Sequence, residues 1–239
     1  MTLFPDLSRP VDRSEWMDTR PLTDDEIDGV FGFFEFTNRR FGGTSAVLAP
    51  LNRWSARWAP GQKISLLDVG AGGADIPRAL VRWARRRGFR LRVAALEPVP
   101  AIAARARRAC AGYPEIDILE KDLRWMVDRG ARFDYVTASL FLHHVSLRER
   151  ADVLAALDRL ACRGLILSDL RRSLPGYWAV GALAALRRDR VAFHDGPLSV
   201  RRAFRVADLE NLAATAGLPH LRARSEPWFR VSLLGEKNG

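Results

Sequence analysis

The chain has 239 residues, 48% of them hydrophobic, and a formal charge of +10. This length and apolar content fit one large α/β domain, or one domain with an extension, around a sizeable core. No apolar run approaches the ~20 residues that span a bilayer, and Met1 to Asp12 lacks the basic-then-apolar pattern of a signal peptide, so the expectation is a cytoplasmic protein.

The first twenty residues are polar and read as an irregular arm. A helix then starts at Thr23, its N-cap, with Glu26 as the capping-box partner, and runs through Phe31, Phe33, Phe34 and Phe36 towards Arg40. Gly42-Gly43 breaks it, and a second helix covers Thr44 to Trp58 before Pro60-Gly61. From Ile64 the pattern changes to short apolar runs alternating with helical stretches. Strands are expected at Ile64 to Val69, Leu91 to Leu96, Ile116 to Leu119 and Phe133 to Ala138, with a fifth starting at Leu165 to Leu167. The helices between them cover Ile76 to Arg87, Pro100 to Ala111 and Ser146 to Leu160, the last with Ser146 as N-cap and Glu149 as capping-box partner. This alternation argues for a doubly wound, mainly parallel sheet with helices on both faces. After Asp169 an insertion at about 171–205 holds an apolar, helical Leu174 to Leu186 and a polar Arg187 to Gly196. Asp208 to Ala216 is a helix closed by Gly217, and Leu221 to Leu234 can supply one or two edge strands. The chain divides into an N-terminal arm with helices, 1–62, and an α/β domain, 63–239.

The most informative segment is Leu66-Leu67-Asp68-Val69-Gly70-Ala71-Gly72-Gly73-Ala74-Asp75. A buried strand runs into a glycine-rich turn that opens a helix, and in an open α/β sheet this turn lies where ligands bind. A dinucleotide needs a third glycine where Asp75 stands, and a carboxylate there repels a pyrophosphate. A cofactor with a cationic end suits Asp68 and Asp75 better. The stretch Leu67 to Gly72 resembles the first motif of class I S-adenosylmethionine-dependent methyltransferases, which have a Rossmann-like fold. Ala74 takes the place of the family's last glycine. The resemblance continues through Glu97 at the end of the second strand, Asp122 after the third, and Phe133 to Ser139 with Leu140 to Val145. It closes at Gly164 to Asp169, so it spans roughly Ile64 to Asp169. It is similar to the UbiE-like, small-molecule O-methyltransferase type. The resemblance implies that Asp68, Gly70, Ala71, Gly72, Asp75, Glu97, Pro98, Asp122, Leu123 and Ser139 bind S-adenosylmethionine, with S-adenosylhomocysteine as product. Glu97 would hold the ribose hydroxyls and Asp122 the adenine.

Methyl transfer from a sulfonium is an in-line displacement, and a hydroxyl acceptor must also lose a proton, which suits a histidine. Of the four histidines, His143 and His144 follow the fourth strand. They resemble the segment that carries the catalytic histidine of small-molecule O-methyltransferases, which makes His143 the candidate base with His144 beside it. One ring is expected to face the substrate. His194-Asp195 reads as an Asp-Gly turn in a loop, and His220 as exposed. The apolar Leu174 to Leu186 reads as a lid or wall over an apolar acceptor, with a core helix or a membrane-surface contact as alternatives. The phenylalanines at 31, 33, 34 and 36 would form the opposite wall.

Nearly all the basic residues are dispersed arginines, and the densest cluster, Arg85-Arg86-Arg87, ends a helix where cations suit the dipole. A solvated basic surface is therefore favoured over a nucleic-acid footprint. Cys110 and Cys162 lie far apart and read as small buried hydrophobes. No metal ligands cluster after strands four and five, so no metal is expected. The expected reaction is methylation, on oxygen, of a small apolar or phenolic metabolite of secondary metabolism, by a monomer or homodimer. The rivals are an RNA methyltransferase and a non-catalytic cofactor-binding scaffold.

Overall fold

The apolar runs form the strands expected of them. In a computed structural model that describes residues 4–237, five parallel strands occupy Lys63–Val69 (β1), Arg90–Leu96 (β2), Ile116–Leu119 (β3), Phe133–Ser139 (β4) and Ala161–Leu170 (β5). Two more, Arg222–Glu226 (β6) and Arg230–Glu236 (β7), add an antiparallel edge, giving the order β3-β2-β1-β4-β5-β7-β6. Met1 to Leu3 of the N-terminal segment, and Asn238 and Gly239, lie outside the described residues. Side chains alternate across the sheet, so Leu66 and Leu67 enter different cores. Leu66 packs with Trp54, Trp58, Tyr135 and Ile166 on one face, and Leu67 with Val136, Leu154 and Leu165 on the other. The Tyr135 hydroxyl accepts a hydrogen bond from Trp58 Nε1 at 3.0 Å, so the largest of the fully buried side chains does not strand its polar atom.

The chain leaves β1 for β2 on one side, while β4 joins β1 on the other. The connections therefore diverge at β1, and a crevice opens beyond the carboxyl ends of β1 and β4. The helices follow in chain order: Trp16–Thr19 (α1), Asp24–Arg40 (α2), Gly43–Trp54 (α3), Asp75–Arg87 (α4), Pro100–Ala109 (α5), Leu123–Asp128 (α6), Arg150–Leu160 (α7), Leu174–Leu186 (α8), Arg190–Arg202 (α9) and Val206–Thr215 (α10). Thr23 and Glu26 form the expected capping box of α2.

Several expectations are corrected. The second N-terminal helix ends at Trp54, and a single tighter turn, Ser55–Arg57, completes the stretch. The helix α7 starts at Arg150, because Ser146 spends its hydroxyl on the Glu149 carboxylate at 2.5 Å instead of capping the backbone. Cys162 is exposed on β5, while Cys110 is buried. His220 is half-buried and meets Asp158 at 3.0 Å. His194-Asp195 lies inside α9, not in a loop or turn. Gly196 is needed there because a Cβ would stand 2.7 Å from Val180 Cγ2, so it lets α8 and α9 close on each other.

Asp195 also draws the N-terminal arm over the crevice. Its carboxylate accepts the backbone N–H groups of Trp16 at 2.8 Å and Met17 at 3.2 Å, and the Trp16 ring stacks on His194 at 3.9 Å. An Asp195→Ala variant should lose about 1–3 kcal/mol of stability, since two half-buried backbone donors lose their acceptor. Limited proteolysis should then cleave the arm near Trp16 well before the rest of the chain. Unchanged denaturation and protection of the arm would contradict this anchoring.

Candidate active site

The glycine turn sits at the end of β1. Gly70 (φ +69°) and Gly72 (φ +52°) adopt left-handed conformations, and a Cβ on them would stand 2.7 Å from Phe141 Cδ2 and 2.6 Å from Phe31 Cε1. Ala74, in the place of the expected last glycine, also takes φ 56° as it opens α4. Glu97 ties the turn to β2: its carboxylate accepts Gly72 N at 3.1 Å and Val99 N at 2.9 Å. Burial pushes this carboxyl up, and the two N–H donors partly offset that.

Two further carboxylates flank the turn. Asp68 is buried and takes the Thr137 hydroxyl at 2.6 Å, and burial pushes its carboxyl up to about 7. Asp75 accepts Asn38 Nδ2 at 2.9 Å, while Asn38 Oδ1 accepts the buried Arg230 at 2.6 Å. Burial raises Asp75 as well, against that amide bond. Asn38 and Arg230 lie far from the motif in sequence, and sequence reasoning missed both.

A cavity of about 610 Å³ extends from the turn. Asp68, Gly70, Ala71, Gly72, Asp75, Glu97, Pro98 and Ser139 line it, so eight of the expected cofactor residues share one space. The Ser139 hydroxyl is buried there without a hydrogen-bond partner. Asp122 and Leu123 do not reach the lining. Asp122 Oδ1 instead accepts Trp125 N at 2.9 Å as the N-cap of α6, and Leu123 packs against the core. Phe31, Phe33 and Phe34 form one wall, and Val180, Leu183 and Leu186 of α8 form another. Phe36 is not part of the wall; it packs edge-on against Phe41 and lies under the Arg187 guanidinium.

The polar end holds both histidines, on the short turn Leu142–His144 after β4. Both rings line the cavity, where one had been expected. His143 Nδ1 meets Asp169 Oδ1 at 2.6 Å, and its backbone N–H reaches Asp169 Oδ2 at 3.2 Å. A carboxylate accepts only, so Nδ1 is the donor in this bond and Nε2 is the nitrogen left for another partner. Burial alone would raise the Asp169 carboxyl, but His143 holds it below the usual range. His144 Nδ1 meets Asp18 Oδ1 at 2.9 Å in the same fashion. Arg202 fixes the backbone by donating to the carbonyls of His143 and His144, both at 2.8 Å. Glu15 completes the group. It is 1% exposed, and its Oε1 has no hydrogen-bond partner and stands 3.8 Å from His143 Nε2. Glu15, Asp18, Asp169 and Arg202 were not foreseen; the polar arm and the end of β5 gave no motif for them.

Three carboxylates at a glycine turn suit a cationic cofactor without phosphate. That agrees with a sulfonium carrying an ammonium group and a ribose. The apolar walls and the histidine end leave room for a second molecule, and the volume lies within the range of small-molecule sites, about 300–1,000 Å³.

Comparison with known proteins agrees. A family model described as a methyltransferase domain matches residues 66–164. No curated protein matches the chain in sequence. Among solved structures, the plantazolicin methyltransferase BpumL in complex with SAH aligns with TM-score 0.62 at 9% identity, covering 90% of this chain and 96% of that one. Magnesium protoporphyrin IX methyltransferase ChlM from Synechocystis PCC 6803, with bound SAM, gives 0.54 at 14% identity, covering 92% and 100%. The CurJ carbon methyltransferase gives 0.58 at 12% identity over 79% of this chain, which spans only 52% of that structure's length. The chain also spans about half, 49%, of the citrinin polyketide synthase CMeT domain structure. Residues 66–164 thus match a methyltransferase domain, and the chain as a whole has the fold of the class I, S-adenosylmethionine-dependent methyltransferases.

Proposed function

We propose that the protein transfers a methyl group from S-adenosylmethionine to a small, apolar acceptor, on an acceptor oxygen. The observation that carries this reading is the single cavity that joins the glycine turn and Glu97 to the histidine pair, under apolar walls. Glu97 would take the ribose hydroxyls, and Asp68 and Asp75 would face the methionine end. Residues 1–62 and the insertion at about 171–205 would build the acceptor pocket. In the transfer the S–CH3 bond breaks and its electron pair stays on sulfur, leaving S-adenosylhomocysteine, while the acceptor oxygen bonds the methyl carbon and gives up its proton at the Glu15–His143–His144 end. Holding the three atoms in line supplies much of the rate.

Methyl-labelled S-adenosylmethionine incubated with an extract of the source cells should place label in the organic-soluble fraction. A His143→Ala variant should bind S-adenosylhomocysteine like the parent while transfer falls by about 100-fold or more. Label in the RNA-precipitable fraction, or full activity in His143→Ala, would overturn the assignment.

Removing the carboxylate of Glu97 should act on the other partner. A Glu97→Ala variant should lose S-adenosylhomocysteine binding by roughly 10-fold or more in calorimetry, because a charged acceptor is worth about 1.5–3 kcal/mol. Equal affinity would remove Glu97 from the cofactor site.

Asp68 gives a pH signature. Its folded carboxyl titrates at about 7 against an ordinary 3.8, so the folded state keeps the proton longer than the unfolded chain. The stability it contributes is full below the unfolded value and is lost as pH rises through the folded one. Without cofactor, the stability of the parent relative to Asp68→Asn should fall as pH is raised from about 4 to about 7, then level off. Parallel curves for the two proteins would contradict the buried carboxylate.

A further inference from the structure

Both histidines present the same arrangement. Each gives Nδ1 to a carboxylate, His143 to Asp169 at 2.6 Å and His144 to Asp18 at 2.9 Å, which leaves Nε2 of each ring for another partner. A carboxylate on the far ring nitrogen fixes the tautomer and raises the basicity of the other nitrogen, as it does for metal-bound histidines. The backbone of the pair is fixed too, by the Arg202 guanidinium on both carbonyls and by Arg150 Nη2 on the His143 carbonyl at 3.2 Å.

The third group is Glu15. A buried carboxylate oxygen without a donor is costly, since burial removes its water and nothing replaces it. Glu15 Oε1 is in this position, standing 3.8 Å from His143 Nε2 and 3.9 Å from Arg202 Nε, beyond hydrogen-bond reach of both. One ligand atom from each of Glu15, His143 and His144 can be chosen so that all lie within 4.8 Å of one another. Bonds of about 2.0–2.2 Å to a common ion require these atoms to close by roughly 1 Å. A rotation of the side chain of Glu15, the N-cap of the four-residue α1, would supply this closing movement.

We infer that Glu15, His143 and His144 form a binding site for one divalent first-row transition-metal ion at the acceptor end of the cavity. Two imidazoles and one carboxylate suit iron, zinc, cobalt or nickel better than magnesium or calcium, which prefer all-oxygen shells. Three protein ligands leave positions open towards the cavity. An acceptor oxygen or water there would lie on the ion, and the ion would favour its deprotonated form. This inference departs from the expectation of no metal: the histidines were visible in sequence, but their third ligand lies in the arm. The ion's role in transfer rests on the acceptor reading above; its binding does not.

The test uses the full chain, stripped with a chelator and titrated with zinc chloride in a calorimeter. The parent should take up one equivalent. Glu15→Gln and His144→Ala should weaken uptake by about 100-fold or more, and Asp18→Asn by about 10- to 100-fold through the ring it orients. Unchanged S-adenosylhomocysteine binding in each variant confirms that it is folded, because the glycine turn and Glu97 are untouched. No saturable uptake by the parent, or equal uptake by Glu15→Gln and His144→Ala, would overturn the site. If the stripped protein transfers methyl at the full rate, the ion has no part in transfer while the methyltransferase reading stands. One equivalent bound, with no label reaching any fraction, supports the site and removes the acceptor reading instead.

Discussion

A carboxylate taken out of water must find donors, and this chain buries five of them around one cavity: Glu15, Asp68, Glu97, Asp169 and Asp195. Four have their donors within the protein, and those donors place the machinery. Glu97 holds the backbone of the glycine turn, Asp68 ties β1 to β4 through Thr137, Asp169 aims His143, and Asp195 brings the arm down from the start of the chain. The fifth, Glu15, is left with an oxygen that faces the histidines unsatisfied. The distribution of satisfied and unsatisfied acids therefore separates groups that build the site from a group kept for a ligand.

The sheet supplies the frame for this arrangement. Strands buried on both faces pack Leu66 and Leu67 into separate cores, which keeps β1 rigid up to Asp68. The backbone turns sharply through left-handed glycines directly beyond it, with Phe141 the nearest neighbour of Gly70 and Phe31 of Gly72. The helices α2 and α8 then close the cavity with phenylalanine, valine and leucine. The cavity is thus lined by the acid-flanked glycine turn, by apolar side chains of α2 and α8, and by two imidazoles.

Much of this was legible in the sequence. Apolar runs of four to seven residues between helical stretches mark the parallel strands, and Asp68 to Gly72 marks the turn, because both depend on local patterns. The histidine pair is legible for the same reason. Glu15, Asp18 and Arg202 are not, since each acts on residues far away in the chain, and a lone acid in a polar arm carries no periodicity. The helix α9 was hidden by Gly196 and Pro197, which read as a turn by composition but serve close packing against Val180. Asp122 has a local role that the sequence motif did not disclose: an acid after a strand matches the family's adenine contact, and here its Oδ1 caps the next helix.

The central claim is that one cavity seats the cofactor at the glycine turn and presents its methyl group to the histidine end. A crystal structure of the protein with S-adenosylhomocysteine tests it most directly. The account predicts the ribose on Glu97, the amino-acid end beside Gly70 to Gly72, and the sulfur facing His143 and His144. Density for the ligand outside this cavity, or with its sulfur turned away from the histidines, would contradict it.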